Sequence, residues 1–130
     1  MFRRNLIILL TILMTACSNH PDTPNHMEAK ELIEKIKTNE KIIILDSRSK
    51  SEFDSGHIKG AIHFSFWKSF WNTNKLKINK HDPIIVYCGH GPRAGIVKVA
   101  LLCNGFDNIT YLKGHMTKWK ADNLPLEKSK

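Results

Sequence analysis

Pro83-Ile84-Ile85-Val86-Tyr87-Cys88-Gly89-His90-Gly91-Pro92-Arg93-Ala94 is the stretch on which the fold turns. Its first half is a continuous apolar, β-branched run. That pattern suits a strand buried on both faces, and hence a parallel sheet. Ala94 to Cys103 then carries helical apolar spacing, which Gly105 stops. A buried strand that passes through a glycine-rich loop into a helix makes an anion site. Free N–H groups at the helix start point into the loop, and the helix dipole adds partial positive charge. Gly89 and Gly91 permit the backbone angles that turn successive amides inward. Cys88 stands at the centre, placed to act as a nucleophilic thiolate, with Arg93 and His90 adding positive charge at the rim.

The same alternation of elements continues on both sides. Upstream, Glu28 to Thr38 reads as an amphipathic helix with Ala29, Leu32, Ile33 and Ile36 on one stripe. Ile42-Ile43-Ile44-Leu45 is a second buried strand and leads into Asp46-Ser47-Arg48. Ser49-Lys50-Ser51-Glu52 matches a capping box, and Gly56 is expected to end that short helix in a left-handed conformation. Ala61 to Phe66 reads as a strand, and Phe66, Trp67, Phe70 and Trp71 as one face of a helix. Trp67, Trp71 and Trp119 read as core, with the alternative that an exposed one lines the approach to the site. Residues 72–82 form a polar, Lys-rich connection. Downstream, Asn108 to Leu112 makes a third strand, and Gly114 to Asp122 a last helix. Strands alternating with helices define an α/β domain, and right-handed crossovers place helices on both faces of its sheet. Ligands of such sheets gather at the carboxyl ends of the strands, where both Asp46-Ser47-Arg48 and the Cys88 loop lie. Asp46 and Arg48 read either as support for that loop or as a structural ion pair. His57 reads as holding its turn by hydrogen bonds, and Cys103 as core packing.

At 130 residues the chain is long enough for one domain and not two. It is 42% hydrophobic and 25% charged, as folded domains are. The formal net charge is +8, but the lysines are scattered and no nucleic-acid motif accompanies them. The histidines lack metal-ligand spacing. Three cysteines, an odd number without a pairing pattern, argue against a disulfide framework. Phe2-Arg3-Arg4 is a basic start, and Leu6 to Met14 is an apolar run too short to span a bilayer as a permanent helix. Met14-Thr15-Ala16-Cys17 resembles a bacterial lipobox. The expected organisation is therefore a signal peptide over 1–16, a lipidated Cys17 with a tether over 17–25, and a domain over 26–130. Removing Arg3 and Arg4 with the signal lowers the formal charge from +8 to +6. The expected location is the periplasmic side of a bacterial membrane, as a lipoprotein. Ser18 after the lipid cysteine favours the outer membrane, by the same resemblance.

Tyr87-Cys88-Gly89-His90-Gly91-Pro92-Arg93-Ala94 resembles the active-site loop of the rhodanese family, Cys-x-x-Gly-x-Arg followed by a small residue. Leu45-Asp46-Ser47-Arg48 resembles its Asp-x-Arg. Glu52-Phe53 with Gly56-His57-Ile58-Lys59-Gly60-Ala61-Ile62 resembles its Gly-His-Ile-x-Gly-Ala motif. Gly105-Phe106 and Leu112 to Trp119, ending at Leu124-Pro125, resemble its C-terminal signature. The resemblance implies a rhodanese-like three-layer domain whose central, mostly parallel sheet has helices on both faces. It implies a sulfurtransferase in which Cys88 carries sulfur as a persulfide, taken from a small anionic donor such as thiosulfate and passed to a thiol or cyanide. Gly89, His90, Gly91, Arg93 and Ala94 would form the cradle. No metal or organic cofactor is implied, and a monomer is expected. Three positions depart from the family pattern. Pro92 removes a potential amide donor, Ala94 stands where many relatives carry Ser or Thr, and His115 replaces the second Gly of the C-terminal signature. Two alternatives stay open. One is a non-catalytic sulfur-binding or protein-interaction module. The other is a phosphatase or arsenate reductase, whose loops hold five residues between Cys and Arg where this chain has four.

Overall fold

The computed structural model describes residues 26–129. The expected signal peptide, Cys17 and the tether lie outside the described residues. Five short strands form one sheet: β1 (His26–Met27), β2 (Ile43–Asp46), β3 (Ile62–His63), β4 (Ile84–Tyr87) and β5 (Ile109–Leu112). They stand in the order β1-β5-β4-β2-β3, and every pairing is parallel. Four α-helices connect them, α1 (Ala29–Lys37), α2 (Lys50–Ser55), α3 (Ser69–Asn72) and α4 (Pro92–Cys103), and α5 (His115–Ala121) follows β5. Two 3-10 turns, Phe66–Lys68 and Thr73–Lys75, flank α3. The architecture is the α/β domain with a parallel sheet that the sequence leads one to expect.

The period of two along a strand decides which residues face which layer. Leu45, Ile84, Val86 and Cys88 face one side, where they pack with Ala94, Val97 and Leu101 of α4. Ile44, Ile85 and Tyr87 face the other, against Leu32 of α1 and Met116 and Trp119 of α5. Cys88 and Tyr87 therefore lead to opposite faces of the sheet. The chain moves from β2 outward to β3 on one side, and from β4 outward to β5 on the other. The order reverses between β2 and β4, and the crevice at that reversal is where open α/β sheets hold ligands. Ser47 and Cys88, the residues that follow these two strands, both lie there.

Four expectations need correction. Ala61 to Phe66 contributes only the two residues of β3 to the sheet, because the chain turns into a 3-10 helix at Phe66. Trp67 and Trp71 are not core: they are 70% and 76% exposed, while Trp119 is buried and donates its indole N–H to the Pro125 carbonyl at 3.0 Å. The chain leaves α2 at Gly56 in an extended conformation, φ 162°, not a left-handed one. Its glycine answers a close approach instead, since a Cβ there would lie 3.2 Å from Leu126 Cδ1. Cys103 is exposed. The buried residues of α4 are Ala94, Val97, Ala100 and Leu101, and Cys103 shares the opposite stripe with Ile96 and Val99. Cys103→Ala is accordingly expected to change unfolding free energy by no more than about 0.5 kcal/mol, as at other surface positions, and to leave sulfur uptake intact. Urea unfolding and intact mass check both. Strand β1, an edge pair of residues bonded to β5, has no sequence signal of its own.

Candidate active site

Strand β4 delivers Cys88, and hydrogen bonds on both sides fix where it emerges. The Tyr87 carbonyl accepts two bonds from Ser47, one from the backbone N–H at 2.9 Å and one from the hydroxyl at 2.7 Å. The Cys88 carbonyl accepts from Met116 N–H at 3.0 Å, and the Gly89 carbonyl from Thr117 N–H at 3.0 Å and its hydroxyl at 2.8 Å. The loop is thus pinned to the end of β2 and to the first turn of α5. Gly91 takes φ 135°, a region that favours glycine, and opens α4, with Pro92 pre-set for the first helical position. In that conformation the Gly91 N–H donates to Cys88 Sγ at 2.9 Å. Cys88 itself is fully buried.

Arg93 lies where the sequence places it, beside the sulfur, but not as an uncompensated charge. Its Nη1 and Nη2 grip the two oxygens of Glu52, at 2.6 and 3.0 Å. Gly89 makes room for the guanidinium, since a Cβ there would lie 3.1 Å from Nη2. Glu52 raises the Arg93 pKa, with a smaller contribution from Cys88. In return, the hydrogen bonds from Arg93 outweigh partial burial and hold the Glu52 carboxyl at about 2. Glu52 also caps α2, accepting from the Ser49 backbone N–H at 2.9 Å and the Ser49 hydroxyl at 2.8 Å. A partly exposed ion pair of this kind, screened by solvent, is worth about 1 kcal/mol, so its main consequence is placement: α2 holds Arg93 over the loop. Glu52 is the partner that sequence reasoning assigned only to a cap.

A carboxyl held below its unfolded value stabilises the fold above that unfolded value and loses the contribution as pH falls through the folded one. For Glu52 the window runs from its ordinary 4.5 down to about 2. Glu52→Gln is therefore expected to be less stable than the parent at neutral pH, with the difference shrinking as pH falls through that window. Urea unfolding at neutral and at acid pH reads it. A difference independent of pH would remove the charge from the account.

His115 is the second residue that the sequence pointed to only as a departure. It is buried, at φ 51°, and its Nδ1 accepts the Cys88 backbone N–H at 3.2 Å. Burial, and then the fields of His26 and His90, push its pKa down. It is neutral near pH 7, with its ring proton on Nε2. That nitrogen faces Gly91, 3.6 Å from where a Cβ would stand. The Cys88 amide, which would otherwise belong to the loop's donor set, is thereby spent on an imidazole. His90 is exposed, and Ala94 is buried in the core cluster that contains Cys88. Of the five residues expected to form the cradle, Gly91 donates to the sulfur, Arg93 flanks it, Gly89 leaves space and Ala94 packs beneath. His90 is exposed on the loop, at the rim.

Asp46 and Arg48 form a buried bidentate pair, 2.7 Å at its closest. Arg48 Nη2 also donates to the Gly56 carbonyl at 2.7 Å, and Asp46 accepts the Tyr87 hydroxyl at 2.7 Å. Burial opposes the charge on Arg48, but the bonds and field of Asp46 lift its pKa above the ordinary value. Burial and then Asp46 push the Tyr87 phenol up. The pair acts on the opposite face of the sheet from the sulfur and reaches the loop through Tyr87. His57 holds its turn, with Nδ1 bonded to the Phe53 carbonyl at 2.8 Å and its ring stacked on Phe53 at 3.8 Å. Among the described residues no group of three His, Cys, Asp or Glu side chains is arranged to hold a metal ion.

A buried cysteine beneath a helix-opening loop, at the switch point of a five-stranded parallel sheet, defines a class of small α/β domains. Residues 28–122 match the rhodanese-like domain, and this chain belongs to that family. A thiosulfate sulfurtransferase, GlpE of Coxiella burnetii (strain RSA 331 / Henzerling II), is 34% identical over 97 residues, which cover 75% of this chain and 85% of that protein. The protein YibN of Escherichia coli (strain K12) is 34% identical over 105 residues, 79% of this chain and 70% of that one. Among solved structures, the Alr3790 protein from Anabaena sp. superposes with a TM-score of 0.72 at 27% identity, covering 79% of this chain and 82% of that chain.

Proposed function

We propose that this chain is a sulfurtransferase that moves a sulfane sulfur from an anionic donor such as thiosulfate to a thiol or cyanide, through a persulfide on Cys88. The observation that carries the reading is the Gly91 N–H donated to Cys88 Sγ at 2.9 Å, in a loop that opens a helix. A dipole aimed at sulfur is available to thiolate and persulfide alike and needs no reorganisation between them. The similarity to a thiosulfate sulfurtransferase supports the same reading.

In the first half-reaction the Cys88 thiolate attacks the outer sulfur of thiosulfate. A new S–S bond forms, the S–S bond of thiosulfate breaks, and sulfite leaves with the electron pair. In the second, cyanide or a thiolate attacks the outer sulfur of the persulfide. Thiocyanate or a new persulfide leaves, and the Cys88 thiolate returns. Arg93 flanks the anionic donor and Gly91 N–H the sulfur. No external oxidant or cofactor is needed for the balance.

The test is the intact mass of the protein after thiosulfate, with sulfite removed. A gain of one sulfur atom is expected, reversed by cyanide with release of thiocyanate. No gain from thiosulfate or from polysulfide would replace catalysis with the binding-module reading. A phosphatase role draws no support from a four-residue Cys–Arg spacing.

We further propose that the chain is exported and held at a membrane by lipid on Cys17, a reading supported by the basic start, the Leu6 to Met14 run and the Thr15-Ala16-Cys17 junction. Labelled palmitate is expected to enter the wild type and not Cys17→Ser, which should move to the soluble fraction. Undiminished label in the mutant would rule this out.

A further inference from the structure

The structure leaves one surface feature without a role in sulfur chemistry. Trp67, Phe70 and Trp71 are 70%, 50% and 76% exposed, all within five residues of chain. Folding normally hides such side chains, and a cluster of them on a soluble face marks a binding surface. They sit on the 3-10 turn Phe66–Lys68 and on α3, a knuckle that packs against α4. Along the chain on either side of the knuckle the charge has one sign, between Asp54 and Asp82. Residues 55–81 contain five lysines and no Asp or Glu. Lys68, Lys75 and Lys77 are exposed and enter no ion pair among the described residues.

We propose that this knuckle docks the domain on an anionic phospholipid surface, with the Trp67, Phe70 and Trp71 rings in the headgroup region and Lys68, Lys75 and Lys77 on the lipid charges. Exposed indoles beside ammonium groups match that boundary, which is apolar below, wet above and negatively charged. A second copy of the chain fits the face poorly. A two-fold dimer would set the patch against itself, lysine facing lysine across a buried surface. The tether supports the same occupant. Residues 17–25 span at most about 30 Å when extended, so a chain anchored at Cys17 holds the domain near the bilayer and raises the effective concentration at which the knuckle meets it. That one point rests on the anchor reading; the aromatic and charge arguments do not. Because α3 packs on α4, and α4 opens at the Cys88 loop, a docked knuckle fixes the orientation of the active loop relative to the membrane.

The indoles supply their own probe. Trp119 is 1% exposed and stays silent, so changes in emission report Trp67 and Trp71. The full chain is mixed with phosphatidylcholine vesicles, with or without about one third phosphatidylglycerol, some carrying brominated acyl chains. On the anionic vesicles, emission is expected to shift to the blue and bromine to quench it. Trp67→Ser with Trp71→Ser should abolish the quenching. Lys68, Lys75 and Lys77 changed together to Gln should weaken vesicle affinity of the knuckle by roughly a hundredfold, from about a factor of five per lysine. Sedimentation with vesicles reports the N-terminal anchor separately, so the anchor and the knuckle fail independently. Unshifted emission from sedimented protein would overturn the proposal. So would a blue shift without bromine quenching, which would assign the face to a second copy of the chain.

Discussion

Cys88→Ser is expected to take up no sulfur from thiosulfate and to release no thiocyanate to cyanide, a loss of at least about a thousandfold against wild type, while its thermal unfolding stays close to the parent's. The size follows from the chemistry. Serine is far less nucleophilic than cysteine near pH 7, and it cannot form the S–S bond that holds the transferred atom. Binding of the donor beside Arg93 and the Gly91 amide would survive the substitution, so affinity for thiosulfate should change much less than turnover. Arg93→Ala is the informative companion. It loses the flanking charge and also the tie to Glu52, so persulfide formation should slow without vanishing. Intact mass over a time course after thiosulfate measures all three proteins. Sulfur uptake by Cys88→Ser would move the carrier elsewhere, with exposed Cys103 the first place to look.

Local pattern made most of the framework legible in the sequence. Continuous β-branched runs marked β2 and β4 as buried on both faces. The capping box at Ser49 formed as the residues suggested, with Ser49 accepting from Glu52 N–H and Glu52 accepting in return. What stayed hidden depends on the third dimension. Glu52 and Arg93 are 41 residues apart in sequence, and nothing local says that a capping carboxylate also reaches across to the active loop. His115 lies 27 residues from Cys88, and its acceptance of the Cys88 amide follows from how α5 docks beneath the loop. Cys103 misled because α4 is apolar on more than one side: Ile96 and Val99 share its exposed stripe, so hydrophobicity alone did not mark the inner face. Trp67 and Trp71 misled for a related reason, since aromatic residues at helical spacing are ordinarily core.

Arg48→Met is expected to lower unfolding free energy by about 3–5 kcal/mol, the cost of leaving one partner of a buried ion pair uncompensated. Asp46 is fully buried and Arg48 nearly so. After the change Asp46 keeps the Tyr87 hydroxyl and the backbone N–H of position 48, which in the parent lie at 2.7 and 3.0 Å, but loses the guanidinium beside it. The Gly56 carbonyl loses its 2.7 Å donor as well. Against a total of about 5–15 kcal/mol for a domain of this size, that is a large share, and the melting temperature should drop by roughly 15–30 °C. The defect belongs to the stranded charge rather than to the lost bond. Asp46→Asn added to Arg48→Met removes that charge while keeping an oxygen for Tyr87, so the double mutant should recover a substantial part of the loss. The coupling between the two positions, read by urea unfolding in a double-mutant cycle, should exceed about 1 kcal/mol. An additive result would reduce the pair to packing. Sulfur uptake by the folded fraction of Arg48→Met should also be slower than in the parent. Tyr87, which the carboxylate holds, is the residue from which Cys88 emerges, and a looser Tyr87 lets the sulfur drift from the Gly91 amide.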